Sequence, residues 1–373
     1  MSRLWIVTAV LLALPAVWLF GPTEAIATAP AGAAAWRADP RGLPDPMTAS
    51  PAQVAAFFAA LPPAEADRLA RDHPGVIGNL DGVPLRLRYA ANRSGEFAGR
   101  QIMALDRRGD GRIVEVLGDL ATARRVAILI PGVDDTLANF DTGLGHVERR
   151  APAWQAKQLY QRIRAAEPAA RVAVIAWLGY DPPEGVRRAA LREDRAAAGA
   201  LALERFADGL VADRPDREIV VIGHSYGSIV AGRAAAHLPE QVTDIVAIGS
   251  PGMGVGDRAA LGGATRVWAG SAPDDWTRKL PGIRVFGLGH GRLPIDPAFG
   301  ALPLPAGDVT GHDGYFEAGT SALSAMAQIS IGTPVPAAAG GVSGGAANPD
   351  QLATSLSGAA AEQRSSRGRL LGA

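Results

Sequence analysis

Two patterns alternate along the middle of the chain. Short runs that are apolar almost without interruption occupy residues 126–130, 172–177, 219–222, 245–248, 266–269 and 283–286. Between several of them lie longer segments whose apolar residues recur at helical spacing: Ala156, Leu159 and Ile163 within 152–165, and Leu203, Phe206 and Leu210 within 187–212. A shorter helix is expected over 228–238. Strands that are apolar at every position are buried on both faces, so the alternation predicts an α/β fold, a mostly parallel central sheet with helices on both sides. Residues 101–105 and 112–117 flank Asp106-Arg107-Arg108-Gly109-Asp110-Gly111, a turn-forming insert, and read as a hairpin that supplies an antiparallel edge. The aspartates of that insert lack the spacing of a calcium loop.

An N-terminal helical segment precedes the sheet. Ser50 is a helix N-cap with proline at the first helical position, and it opens a helix carrying Val54, Phe57 and Phe58 that Pro62-Pro63 ends. A second helix runs to about Asp72. Further upstream, Arg3 precedes seventeen uncharged residues, 4–20, after which small residues run to Ala35. That is the layout of an export signal, with Ala25-Ile26-Ala27 and Ala31-Gly32-Ala33 as cleavage sites. A helix of that length reaches about 26 Å at ~1.5 Å per residue, so a membrane anchor through 4–20 is the other expectation. Either one sends the remainder out of the cytoplasm, secreted or membrane-anchored. Four stretches result: 1–35 as signal or anchor, 36–47 as an Ala/Pro/Gly-rich linker, 48–331 as the folded domain, and 332–373 as a disordered tail. Of the tail's 42 residues 26 are Gly, Ala, Ser or Pro and none is aromatic, which leaves too little to build a core.

Composition narrows the chemistry. Thirty-seven basic and 37 acidic residues cancel, so no basic excess marks a nucleic-acid-binding face. The absence of cysteine excludes disulfide frameworks, thiol catalysis and Cys-ligated metal sites. No cofactor or metal is implied by any motif.

The pattern Gly-x-Ser-x-Gly occurs twice. The copy Gly341-Val342-Ser343-Gly344-Gly345 sits in the low-complexity tail, with no strand before it and no apolar helix after it, and is set aside. The copy Gly223-His224-Ser225-Tyr226-Gly227 follows the apolar run 219–222 and opens the helix 228–238. A sharp strand-to-helix turn of this kind holds a serine in strained geometry at the carboxyl edge of a sheet, above a helix N-terminus. Ser225 is therefore the expected nucleophile.

A serine hydroxyl needs a base to take its proton and a carboxylate to hold that base in the right tautomer. Of the six histidines, His290 and His312 follow the last expected strand, where the order serine, acid, histidine puts the base. His312, flanked by Gly311 and Gly314, is favoured and His290 is the second choice. Asp275, in the loop after 266–269, is the expected acid, with Asp274 next and Asp257 third. The oxyanion hole needs two backbone donors. They are expected from the amide of Tyr226 and from the amide of Val133 in the loop Pro131-Gly132-Val133-Asp134-Asp135-Thr136, after the strand 126–130. Trp177 and Tyr180 are expected to form one wall of the substrate pocket, with a buried core role as the alternative for Trp177. Residues 252–256 are expected as a flexible active-site loop, and 296–300 as a loop beside His312.

Ser225 in its elbow, with Asp275 and His312 in this order and Pro131-Gly132 at the oxyanion loop, resembles the α/β-hydrolase superfamily. More narrowly, the segments 72–82, 177–181, 223–228, 290–291, 296–300 and 311–312 resemble a poorly characterised bacterial α/β-hydrolase family. The resemblance implies an α/β-hydrolase fold and a serine hydrolase acting on an ester or related acyl bond, with a small-molecule or lipid-like acyl substrate. An acyltransferase of the same fold would use the same residues, and a non-catalytic binding module on this scaffold is the third reading.

Overall fold

The central strands carry no alternation because both of their faces are buried. Along Arg125–Ile130, the side chains of Val126, Ile128 and Ile130 enter one apolar cluster, while those of Ala127 and Leu129 enter a second on the other side of the sheet. Each fully buried Ile or Leu of this kind stabilises the fold by about 1.5–3 kcal/mol. The computed structural model describes residues 29–335 apart from 94, 186–187, 264 and 285–287. The apolar run 4–20 and the serine copy at Ser343 lie outside the described residues. Among the described residues no helix is long and apolar enough to cross a membrane.

In chain order the elements are α1 (Ala33–Arg37), α2 (Pro51–Ala60), α3 (Pro63–Asp72), α4 (Pro74–Ile77), α5 (Leu85–Asn92), β1 (Gln101–Asp106), β2 (Arg112–Leu117), β3 (Arg125–Ile130), α6 (Pro152–Ala166), β4 (Val172–Leu178), α7 (Arg188–Leu191), α8 (Asp194–Asp213), β5 (Glu218–His224), α9 (Gly227–Ala234), β6 (Val242–Ile248), β7 (Arg266–Gly270), β8 (Leu302–Pro303) and α10 (Ser321–Ile331). The eight strands form one sheet in the order β1-β2-β4-β3-β5-β6-β7-β8. The β1–β2 and β2–β4 pairs are antiparallel and all others are parallel. Helices α8 and α9 cover one face and α6 and α10 the other. This is the α/β-hydrolase arrangement, with the expected hairpin at its antiparallel edge.

Register sets where the chemistry can lie. Ile130 of β3 pairs with Gly223 of β5, His224 of β5 with Ile248 of β6, and Ile248 with Gly270 of β7. The four parallel strands thus end at a common edge, and the loops that follow them gather there, the usual crevice of an open α/β sheet.

Three expectations change. Residues 283–284 are not in a strand, and 285–286 lie outside the described residues; the strand that pairs with β7 is instead Leu302–Pro303, too short to leave a periodic signal. The helix expected over 187–212 is two, because the Arg192 carbonyl accepts the Tyr226 hydroxyl at 2.7 Å and Glu193 has non-helical angles. Residues 36–47, expected as a linker, are packed. Trp36 is fully buried and donates its indole N–H to Pro44 O at 2.7 Å, and Asp39 joins Arg41 and His73. They extend a third apolar cluster, with Val54, Phe58, Leu69 and Leu80, that belongs to the N-terminal helices. Ser50 caps α2 as expected, with the Gln53 side chain returning the bond.

Candidate active site

The turn from β5 to α9 is built around Ser225, whose φ of 52° lies in the left-handed region that non-glycine residues rarely enter. Two close approaches explain the flanking glycines. A methyl on Gly223 would sit 2.5 Å from Ser228 Cα, and one on Gly227 2.3 Å from Ile130 O. Ser228, which the sequence reading passed over, fastens the turn from below. Its buried hydroxyl lies 2.6 Å from Ser225 O and 2.7 Å from the Ser250 hydroxyl. The Ser225 amide donates to Ile248 O at 3.0 Å, so the strained residue is held from both sides.

Ser225 and His312 line the same cavity of about 550 Å³. His312 Nδ1 lies 3.0 and 2.9 Å from the two carboxylate oxygens of Asp275. A carboxylate only accepts, so Nδ1 carries the proton and Nε2 is the nitrogen left to receive one. No direct hydrogen bond joins Ser225 Oγ to the His312 ring in this structure; the ring is held through Nδ1 by Asp275.

Asp275 is buried and takes four donors: the His312 ring, the Tyr315 hydroxyl at 2.5 Å, and the Thr277 amide and hydroxyl at 2.9 and 2.7 Å. Burial alone would raise this carboxyl, but the hydrogen bond and charge of His312, then Tyr315 and Thr277, hold it below the usual carboxylate range. Asp274, the second choice, faces outward and accepts the Gly311 amide at 2.8 Å, which shapes the His312 loop. Asp257 only caps a short 3₁₀ turn.

Tyr315 and His224 contact the Asp275–His312 pair, a placement the sequence did not reveal. Tyr315 is buried, donates to Asp275 and receives the Ala272 amide at 2.9 Å, so it ties the acid loop to the histidine loop. His224 is also buried; its Nε2 donates to His312 O at 2.8 Å and its ring lies 4.9 Å from that of His312. Burial first, and then the facing His312, push its pKa down to about 4, so it stays neutral.

The amides of Val133 and Tyr226 have no protein acceptor among the described residues, and Val133 lines the cavity. A methyl on Gly132 would come within 2.9 Å of Ser225 Cβ, which shows how closely the loop after β3 approaches the serine. Asp135, on the same loop, is buried at the cavity. Desolvation raises its carboxyl well above the usual range against the pull of the Gly132 amide.

Other expected residues lie elsewhere. Trp177 and Tyr180 are buried and line a different cavity, between α8 and the N-terminal helices. The reason is strand parity: Trp177 shares the face of Ile175, toward Phe206, so it cannot turn over the sheet edge. Tyr180 stacks on Trp177 and donates its hydroxyl to Pro131 O at 2.8 Å, supporting the loop after β3 from behind. His290 is buried against Tyr226, with Nε2 donating to Ala190 O at 2.7 Å, and does not line the Ser225 cavity. Residues 252–256 are pinned to it: the Gly254 amide donates to His290 O and Val255 bridges to Gly291. Phe299 buries the 296–300 turn in the core cluster shared with Trp177. Among the described residues no group of three or more His, Asp or Glu side chains is placed to hold a metal ion.

Comparison with known proteins agrees with this architecture. Residues 106–285 match a protein family described as alpha/beta hydrolase. An uncharacterized protein of Mycobacterium tuberculosis is 26% identical over 79% of this chain and 57% of its own length. An uncharacterized protein of Mycobacterium bovis is 34% identical over 44% of this chain and 62% of its own. The chain therefore spans less than two thirds of these relatives. Among solved structures, a serine hydrolase without lid from Xanthomonas campestris covers 65% of this chain and 97% of itself at 15% identity and a TM-score of 0.37. A dienelactone hydrolase from Anabaena variabilis covers 60% of this chain and 90% of itself at 18% identity and a TM-score of 0.34.

Proposed function

We propose that this chain, which has the α/β-hydrolase fold, cleaves a carboxylic ester or related acyl bond through a serine acyl-enzyme. The observation that carries the reading is the His312–Asp275 hydrogen bond in the cavity that Ser225 lines. Ser225 Oγ attacks the acyl carbonyl and gives its proton to His312 Nε2. Asp275 balances the imidazolium and keeps its tautomer. The negative charge on the carbonyl oxygen is met by the Tyr226 and Val133 amides, each such donor being worth roughly 3 to 4 kcal/mol. Collapse expels the alcohol, which takes the proton from His312. Water, deprotonated by the same nitrogen, then releases the acid and restores Ser225. Tyr315 and His224 act through Asp275 and His312 and are positioning residues, and Tyr180 holds the loop that carries Val133.

The test is labelling of the purified protein with a fluorophosphonate probe, which reacts only with an activated serine. Labelling is expected in the wild type and in Ser343→Ala, and is expected to vanish in Ser225→Ala. A folded wild type that stays unlabelled sinks the mechanism. Product analysis with p-nitrophenyl esters of increasing chain length then shows whether water or another acceptor takes the acyl group. Export through residues 4–20 is a separate proposal, resting on sequence. Recovery of the full chain in the cytoplasmic fraction of its host would overturn it.

A further inference from the structure

A second cavity, of about 350 Å³, lies between α8 and the N-terminal helical segment and shares no lining residue with the Ser225 cavity. Four arginines line it: Arg88, Arg112, Arg195 and Arg205. Three have an ion-pair partner, Arg88 with Asp81 at 2.9 Å, Arg112 with Asp106 at 2.9 Å, a carboxylate it shares with Arg108, and Arg195 with Asp181. Arg205 has no ion pair among the described residues; Asp208, one turn along α8, feels its charge without contacting it.

Two nitrogens on these side chains are also orphaned. Arg195 Nε and one terminal nitrogen of Arg205 are buried with no hydrogen-bond partner among the described residues. Buried N–H groups of a guanidinium are costly to leave unpaired, and each such group in a folded protein calls for a water, an ion or a ligand. The rest of the wall is apolar. Trp177 and Phe206 lie deep in it, and Met47 and Leu201, 43% and 67% exposed, are large apolar side chains left at the surface.

We propose that this cavity is a second binding site, for a monoanionic amphiphile whose carboxylate meets the Arg205 guanidinium and whose apolar body lies against Trp177, Phe206 and Leu201. A single guanidinium without an ion-pair partner favours a carboxylate over a doubly charged phosphate, and its planar fork matches carboxylate geometry. The volume is at the low end for small-molecule sites, which limits the ligand to a short or medium chain. This site does not depend on the hydrolase reading: of its lining residues only Tyr180 touches that machinery, through the Val133 loop, and the carboxylate and apolar contacts proposed here do not use it.

The experiment is calorimetric titration of the full-length protein with sodium octanoate, with octan-1-ol and octyl phosphate as comparison probes. Arg205→Gln and Ala202→Phe are titrated beside the wild type, after their melting temperatures have been measured. Arg205 has no ion pair to lose among the described residues, and Ala202 lines the cavity, where a phenyl ring fills the space. Saturable octanoate binding is expected, at least tenfold weaker in both variants, with octan-1-ol and octyl phosphate each at least tenfold weaker than octanoate. Three results overturn the proposal. Octanoate bound equally by wild type and both variants lies elsewhere, for instance in the Ser225 cavity. Octan-1-ol or octyl phosphate bound as tightly as octanoate removes the monocarboxylate from the recognition. No saturable binding at millimolar octanoate means that the orphaned nitrogens hold water only.

Discussion

Tyr315 and His312, three residues apart in the chain, converge on one carboxylate oxygen. The Tyr315 hydroxyl reaches Asp275 Oδ2 at 2.5 Å and His312 Nδ1 reaches it at 2.9 Å. Tyr315→Phe removes one of the four donors that keep Asp275 ionised and orphans the Ala272 amide. Losing a hydrogen bond to a charged group costs about 1.5–3 kcal/mol of stability. The expected result is a lower melting temperature and a kcat reduced about tenfold, while Asp275→Asn lowers kcat by about 10⁴ because the imidazole tautomer is lost. Equal kcat values for Tyr315→Phe and wild type would show that the hydroxyl plays no part in holding the acid.

Gly132 tests the oxyanion assignment. A methyl there meets Ser225 Cβ at 2.9 Å and Oγ at 3.3 Å, so either the serine or the Val133 amide must move. Gly132→Ala should lower kcat about 100-fold, the scale of one lost oxyanion donor, with a smaller change in KM. Steady-state kinetics on a p-nitrophenyl ester reads both. A change confined to KM would place Val133 outside the chemistry.

Tyr180 separates support of a loop from contact with a substrate. Tyr180→Phe deletes the hydroxyl that donates to Pro131 O, a bond worth about 1 kcal/mol. If Tyr180 acts through the loop, kcat falls and KM holds. A rise in KM alone would restore it to the substrate wall.

What the sequence made legible is what depends on local chemistry. The elbow at Ser225 is strand, turn and helix within a dozen residues, and the order of Ser225, Asp275 and His312 follows from the order of the parallel strands. The remainder comes from contacts that no spacing encodes. His224 meets His312 across 88 positions, and Tyr315 meets Asp275 across 40. Arg205 reads as an ordinary polar position on the long helix, and only the N-terminal helices packed over it turn that position into a cavity wall. Trp177 stands at the end of a strand that does approach the site, and its parity sends it to the opposite side of the sheet edge. Trp36 was hidden because five residues of helix inside an Ala/Pro/Gly-rich stretch leave no period to detect.

His224 gives the protein a stability that depends on pH between 6.5 and about 4, an interval in which the raised carboxyl of Asp135 acts in the opposite sense. The pKa of His224 falls from 6.5 to about 4 because burial, and then the facing His312, disfavour its charged form. A depressed histidine behaves opposite to one that gains a carboxylate. Between pH 6.5 and about 4 the unfolded chain binds a proton that the native ring refuses, so stability drops as the pH falls through that interval. The slope from this one group is at most about 1.4 kcal/mol per pH unit. Asp275 also has a depressed pKa, but its stabilisation is present above the unfolded value of 3.8 and is lost only below it. Urea midpoints measured from pH 7 to pH 4 should therefore decline more steeply in the wild type than in His224→Gln, whose side-chain amide can still donate to His312 O and cannot titrate. Parallel curves would mean that the acid sensitivity of this interval originates outside His224.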